Sequence, residues 1–171
     1  MTGQTHLIVG ANVAWLVVLA SVEIGASDMR LLLLVLAGAF GALLPDLDAG
    51  AAKIHFIALG VLRPFQGIAK HRGGLHSLLA ALVVFVIAYF LLRNFDALLG
   101  LDIALGYVSH LVIDGLNFGG VPLLWPLKTK FHLVPKFFRS PVKGLVDQSL
   151  FVIGLLGIGL LFLTRYTSTG F

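Results

Sequence analysis

Four short polar clusters interrupt long apolar runs, and each carries residue types that bind metal or move protons. They are Thr5-His6, Pro45-Asp46-Leu47-Asp48, His71-Arg72-Gly73-Gly74-Leu75-His76-Ser77, and Ser109-His110-Leu111-Val112-Ile113-Asp114. The chain has no cysteine, so its ligand atoms are imidazole nitrogen and carboxylate oxygen, a set suited to zinc, manganese or iron. His110 and Asp114 are four residues apart. A helix places both on one face, a turn apart, where they can meet one ion or two neighbouring ions. The same spacing also suits a plain His–Asp hydrogen bond at a helix end. Asp46 and Asp48 follow Pro45, which disfavours helix at the residue before it, so they fall in an irregular turn. Two carboxylates there can supply oxygen ligands or simply end a helix. His71 and His76 are five apart and do not align on one regular helix. The intervening Gly73-Gly74 lets His71 sit on a loop while His76 enters the first helical turn. Arg72 adds a permanently charged fork that fits phosphate or carboxylate, and equally an ordinary headgroup contact. Ser77 reads as a helix cap or a backbone contact. His6 alone carries almost no case.

Apolar helices must position these clusters. Hydrophobic residues make up 58% of the chain, charged residues 12%, and the mean hydropathy is +1.01. A soluble protein is about one quarter charged, so lipid is the indicated solvent. The stretches 77–92 and 148–163 carry no charge and show no water-facing stripe, and a helix apolar all round belongs in lipid. The 171 residues fit a single domain, 1–171. The predicted fold is an all-α integral membrane bundle of about five segments, with short interfacial helices. The segments are placed at about 7–24, 29–45, 75–92, 97–117 and 146–164. The first lacks the Lys or Arg that opens a signal peptide and is kept as a span. The second is short, because its apolar run from Leu31 ends at Leu44, before Pro45, where a crossing takes about 20 residues. Residues 53–65 are too short to span and have a basic residue near each end, which predicts an interfacial helix. Residues 118–143 interleave Trp125, Phe131, Phe137 and Phe138 with Lys128, Lys130, Lys136, Arg139 and Lys143, a headgroup-zone pattern. Pro122, Pro126, Pro135 and Pro141 keep this stretch from forming one long helix. Gly154, Gly157 and Gly159 read as helix-packing positions.

Alternation of five spans gathers all four clusters on the side that holds the N-terminus. That side also carries Lys53, Arg63, Lys70, Arg72, Lys128, Lys130, Lys136, Arg139 and Lys143, leaving only Arg30, Arg93 and Arg165 opposite. The positive-inside bias makes it cytoplasmic, which predicts a multi-pass inner-membrane protein with its site facing the cytoplasm and its C-terminus outside. A net charge of +4 implies contact with anionic lipid headgroups; no nucleic-acid partner is expected, and nothing in the sequence specifies an oligomer. Four histidines and three aspartates converging near lipid are costly, and such groups are functional by default. Seven candidate ligands exceed the need of one metal, so a pair of ions is as good a fit as one. His55 and His132 share this side but sit among apolar interfacial residues and read as structural. Asp102 is the one ionisable group toward mid-segment, and it lies toward the opposite side.

The set of motifs resembles the YdjM family of bacterial membrane-bound metal-dependent hydrolases. The matching residues are Thr5-His6, Leu44-Pro45-Asp46-Leu47-Asp48, His71-Arg72-Gly73 with His76-Ser77-Leu78, Ser109-His110 with Asp114, and Leu124-Trp125-Pro126. Leu75 departs from the family, which often has Thr there. More distantly, the pattern is similar to zinc-dependent phospholipase C and the single-strand zinc nucleases. The resemblance implies hydrolysis of a phosphoester in a lipid or other membrane-proximal substrate, with zinc as the first-choice metal. Under it His6, Asp46, His71, His76, His110 and Asp114 bind metal. Asp48 is a further ligand or the base for the attacking water, and Arg72 holds the phosphate. Asn117, one turn beyond Asp114, is a weaker candidate for a substrate hydrogen bond. The other readings of the same ligands are a metal-ion transporter, which should carry ionisable groups at the midplane, and a membrane protein whose metal only ties helix ends together.

Overall fold

The computed structural model describes residues 1–21, 27–48 and 73–168. Among these, helices α1 (Gly3–Ser21), α2 (Asp28–Gly41), α3 (Leu78–Asp114) and α4 (Leu145–Ser168) carry the fold. Short 3-10 turns lie at Leu44–Asp48, Gly74–His76 and Lys136–Phe138. The only extended pairing among the described residues is two isolated bridges, Asn117 with Ser140 and Val121 with Phe131, so the all-α expectation holds. The interfacial helix expected at 53–65 lies outside the described residues, as do His55, His71 and Arg72.

Among the described residues three helical stretches are long and apolar enough to cross a membrane: Gly3–Ala20, Leu78–Asp114 and Leu145–Arg165. Their outer faces are largely hydrophobic, with Arg93 and Asn94 exposed where the long stretch is interrupted. Leu16, Leu19, Phe90, Leu91, Ile153, Leu156 and Leu160 all lie more than half exposed, which in water would be an aggregating surface and in lipid is an ordinary one. Helix α2 has 14 residues, roughly 21 Å of rise, against a hydrocarbon core of about 30 Å.

Helix α3 is two helices. Asp96 has φ −158° and ψ 113°, an extended backbone in the middle of the element. Its Oδ1 accepts from the Leu98 amide at 3.0 Å, the pattern of an N-cap for a new helix, and its Oδ2 meets Arg30 Nε at 2.6 Å. The chain reverses there. Gly100 lies against the Tyr89 backbone, and Ala81 packs with Tyr107 and Leu111. The Tyr107 hydroxyl donates to the Leu75 carbonyl, closing the open end of this antiparallel pair. The expected break between 92 and 97 is therefore in place, while the expected ends at 75 and 117 contract to Leu78 and Asp114. His76 is not in the first helical turn. It closes the preceding 3-10 turn, and Ser77 is the cap, accepting from the Ala80 amide at 3.1 Å.

What draws the helices together is a seam of glycine. A Cβ on Gly106 would lie 2.0 Å from the Gly38 carbonyl oxygen, and one on Gly41 would lie 2.0 Å from that of Ile103. Gly10 and Gly38 likewise bring α1 and α2 into backbone contact. Small residues permit this approach where lipid offers no hydrophobic drive between helices. Of the glycines expected to pack, Gly154 and Gly157 face Ile8 and Asn12 of α1, whereas Gly159 has nothing within 4 Å. Asn12 Nδ2 adds an interhelical bond to the Gly154 carbonyl at 2.9 Å.

Residues 115–144 form no α-helix, as their prolines require, and fold over one end of the bundle. The Leu78 amide donates to the Leu123 carbonyl, the Trp125 ring packs against Gly74, and Val121 is buried beside Tyr107. Lys128, Lys130, Lys136, Phe137 and Phe138 remain exposed.

Candidate metal centre

The start of α1, the end of α2, the turn before α3 and the end of α3 meet at one end of the bundle, each contributing a polar group. His6 comes from the first turn of α1, Asp46 from the turn after α2, and His76 from the turn before α3. His110 and Asp114 come from the last turns of α3. Their spacing does put them on one face, with His110 Nε2 3.9 Å from Asp114 Oδ2. His76 Nε2 lies 3.6 Å from Asp46 Oδ1 and 3.9 Å from Asp114 Oδ2. His110 Nε2 lies 3.7 Å from Asp46 Oδ1, and His6 Nε2 lies 3.3 Å from Asp114 Oδ1. The His6 and His110 rings stack at 3.6 Å.

These separations mostly exceed a good N–H···O hydrogen bond, about 2.7–3.2 Å. They sit closer to the edges of a tetrahedral site, where bonds of about 2.0–2.1 Å put neighbouring ligand atoms roughly 3.3–3.4 Å apart. Among the described residues two overlapping trios could hold an ion, His6–Asp46–His110 and His76–His110–Asp114, and His110 belongs to both.

The tautomer of His110 follows from its partner. Nδ1 lies 2.7 Å from the Ala42 carbonyl oxygen, which can only accept, so Nδ1 carries the proton and Nε2 presents a lone pair. That Nε2 is fully buried, has no hydrogen-bond partner among the described residues, and faces two carboxylates. A lone pair aimed at carboxylate oxygens is unfavourable unless a cation lies between them. The donor chemistry therefore fits a divalent metal.

Asp114 divides its oxygens. Oδ2 faces His76 and His110, while Oδ1 accepts from Asn117 Nδ2 at 2.9 Å and lies 2.5 Å from the Met1 nitrogen. Asn117 is thus a positioning partner of a candidate ligand, and its own Oδ1 is buried without a hydrogen bond among the described residues. Burial pushes the Asp46 carboxyl up, but the facing imidazoles of His76, His110 and His6 more than offset this and hold it below the usual carboxylate range. Asp46 is the most exposed of the five, its side chain 26% exposed against 0–3% for the other four groups.

Of the residues expected at the site, the structure brings together His6, Asp46, His76, His110 and Asp114. Asp48 has its backbone in the same turn as Asp46, but its side chain lies outside the described set, with His71 and Arg72. His132 lies in the 115–144 cover, its Nε2 3.2 Å from the Phe118 carbonyl oxygen, and belongs to neither ligand trio. Sequence reasoning passed over Asp147. Buried at the head of α4, it accepts from the amides of Thr2 at 3.1 Å and Lys143 at 2.9 Å, fixing the first turn of α1 that carries His6. The one available signal was its place as the last charge before an uncharged run.

The chain matches the family described as YdjM inner membrane protein over residues 1–169. It belongs to that family. It is 36% identical over 96 residues to the inner membrane protein YdjM of Escherichia coli K12, and equally to that of Shigella flexneri. Each match covers 53% of this chain and 48% of the relative, so the chain spans about half the length of those two proteins. YvsG of Bacillus subtilis strain 168 is 29% identical over 157 residues, 91% of this chain and 89% of that one. No solved structure matches the chain.

Proposed function

We propose that this YdjM-family protein is a metal-dependent hydrolase of the bacterial inner membrane, acting on a phosphoester in a lipid or other membrane-proximal substrate. The observation that carries the reading is the buried His110 Nε2, held as a lone pair by the Ala42 carbonyl and facing two carboxylates. His6, Asp46, His76, His110 and Asp114 would hold one or two zinc ions, or manganese or iron, with His71 as a further ligand. When bound, such a metal supplies a Lewis acid and a nucleophilic hydroxide at neutral pH. Asp48 follows the exposed edge of the site and is assigned as a further ligand or the base. Arg72, next to Gly73, is assigned to the phosphate, where its fork would stabilise charge growing on the oxygens.

The spans proposed are five: α1, α2, the two halves of α3, and α4. Each half of α3, about 18 residues, rises roughly 27 Å and nearly matches the hydrocarbon core. This count puts the cluster and the N-terminus on the cytoplasmic side and the C-terminus outside. A reporter fused after Phe171 should be active only outside the cytoplasm; cytoplasmic activity would sink the five-span arrangement.

Hydrolysis is tested by incubating detergent-purified protein with phospholipids and generic phosphodiesters, with and without chelator. Turnover is expected to stop with chelator. Arg72→Ala should retain metal and lose at least ~100-fold in turnover, the scale of one transition-state donor. If Arg72→Ala loses metal instead, the arginine is structural. Stoichiometric metal with no turnover of any phosphoester would favour the reading in which metal only ties helix ends together. A transporter reading draws on Asp102, which is fully buried in α3 with neither oxygen hydrogen-bonded among the described residues. It belongs to neither ligand trio, so it stands alone where a carrier needs several ligands.

A further inference from the structure

At the end of the bundle remote from the metal cluster, a cavity lies between α2 and α4, floored by α1. Its accessible volume is about 630 Å³, in the range of small-molecule sites. Ala11, Trp15, Leu31, Val35, Ile158 and Phe162 make its walls apolar. Its mouth is not apolar. Ser27, Asp28 and Arg165 stand there, with Arg165 Nη2 3.7 Å from Asp28 Oδ1. From Asp28 to Val35 the groove runs roughly 10 Å along α2, toward the middle of the membrane. A hydrocarbon wall below a charged rim, on helices whose outer faces are lipid-exposed, is the profile of an amphiphile site.

We propose that this groove binds one phospholipid with a zwitterionic, amine-bearing headgroup. An acyl chain fills the apolar part, the phosphate sits on the Arg165 guanidinium, and the headgroup ammonium sits on the Asp28 carboxylate. The charge arrangement selects this occupant. A rim of one cation and one anion side by side matches phosphate and ammonium on the same headgroup. An anionic headgroup would add a phosphate contact at Arg165 but set a second negative charge against Asp28. A guanidinium has five N–H donors in a fork and can hold a carboxylate and a phosphate together. Asp28 is 95% exposed, so its carboxylate projects where a headgroup lies. A bulky quaternary ammonium has no N–H to donate to it, which separates phosphatidylethanolamine from phosphatidylcholine.

The test is native mass spectrometry of the full chain in mild detergent, titrated with phosphatidylethanolamine, phosphatidylglycerol or phosphatidylcholine. Wild type should retain one phosphatidylethanolamine per chain, at least tenfold in preference to the other two. Asp28→Asn, a change at an exposed position, should erase the preference over phosphatidylglycerol. Arg165→Gln should lower retention of all three, and Val35→Phe, which fills the groove, should do the same. Circular dichroism melting shows that each variant is folded. Equal retention of the three lipids by wild type, or an unchanged preference in Asp28→Asn, would overturn the proposal. So would a dimer that excludes lipid and dissociates in Val35→Phe, which would make a second copy the occupant.

Discussion

His110→Asn is expected to abolish metal binding while leaving the helices in place. Asparagine keeps an N–H that can reach the Ala42 carbonyl, so the end of α2 stays tied to α3. What disappears is Nε2, the one ligand atom shared by both trios. Loss of a partner outside the ligand set commonly costs 10–100-fold in metal affinity, so losing a shared ligand should exceed about 100-fold. Elemental analysis of detergent-purified protein reads the result directly. His6→Ala and His76→Ala give the decisive contrast, because each removes a ligand from only one trio. Nε2 has one lone pair and serves one ion, so if the two trios are alternative seats, His110→Asn should fall with whichever of these variants belongs to the occupied trio while the other keeps its metal. If one ion draws ligands from both trios, all three should fall together. A His110→Asn protein that retains full metal would remove the basis of the proposed site.

The sequence made part of this centre legible and hid the rest for identifiable reasons. His110 and Asp114 advertise themselves, because i, i+4 spacing on a helix fixes their relation without any knowledge of the fold. The convergence of His6, Asp46 and His76 on that pair was legible only through alternation of spans, a property of the whole chain, and the described residues do meet at one end. The groups that hold the ligands were harder to see. Asn117 orients Asp114 from beyond the helix end, Asp147 fixes the turn bearing His6 from across 141 positions, and the His110 tautomer is set by a backbone carbonyl that no residue type announces. The position of His76 was misread by one turn, since Gly73-Gly74 permits either a loop or a helix start and Ser77 decides it. The glycine seam was missed entirely. Three glycines within α4 are conspicuous along the chain, whereas Gly10, Gly38, Gly41 and Gly106 are adjacent only once three helices have packed.

That seam carries the second large effect. Gly106→Leu should separate α2 from the second half of α3 and, with them, Asp46 from His110 and Asp114. The Cβ alone would fall 2.0 Å from the Gly38 carbonyl oxygen and 3.0 Å from the Ala42 nitrogen, both backbone atoms of a helix, which cannot rotate aside as a flexible side chain would. Over-packing that side chains can absorb costs about 1–3 kcal/mol, and this contact should exceed that range. The same strain acts on the cluster, because Ala42 both borders the clash and supplies the carbonyl that fixes His110. Loss of bound metal is therefore expected together with a lowered unfolding midpoint. Gly106→Ala should show the same effects more weakly, whereas Gly159→Ala, with nothing within 4 Å, should leave both stability and metal unchanged. If Gly106→Leu keeps its metal and its midpoint, the close approach of these helices is not what assembles the site.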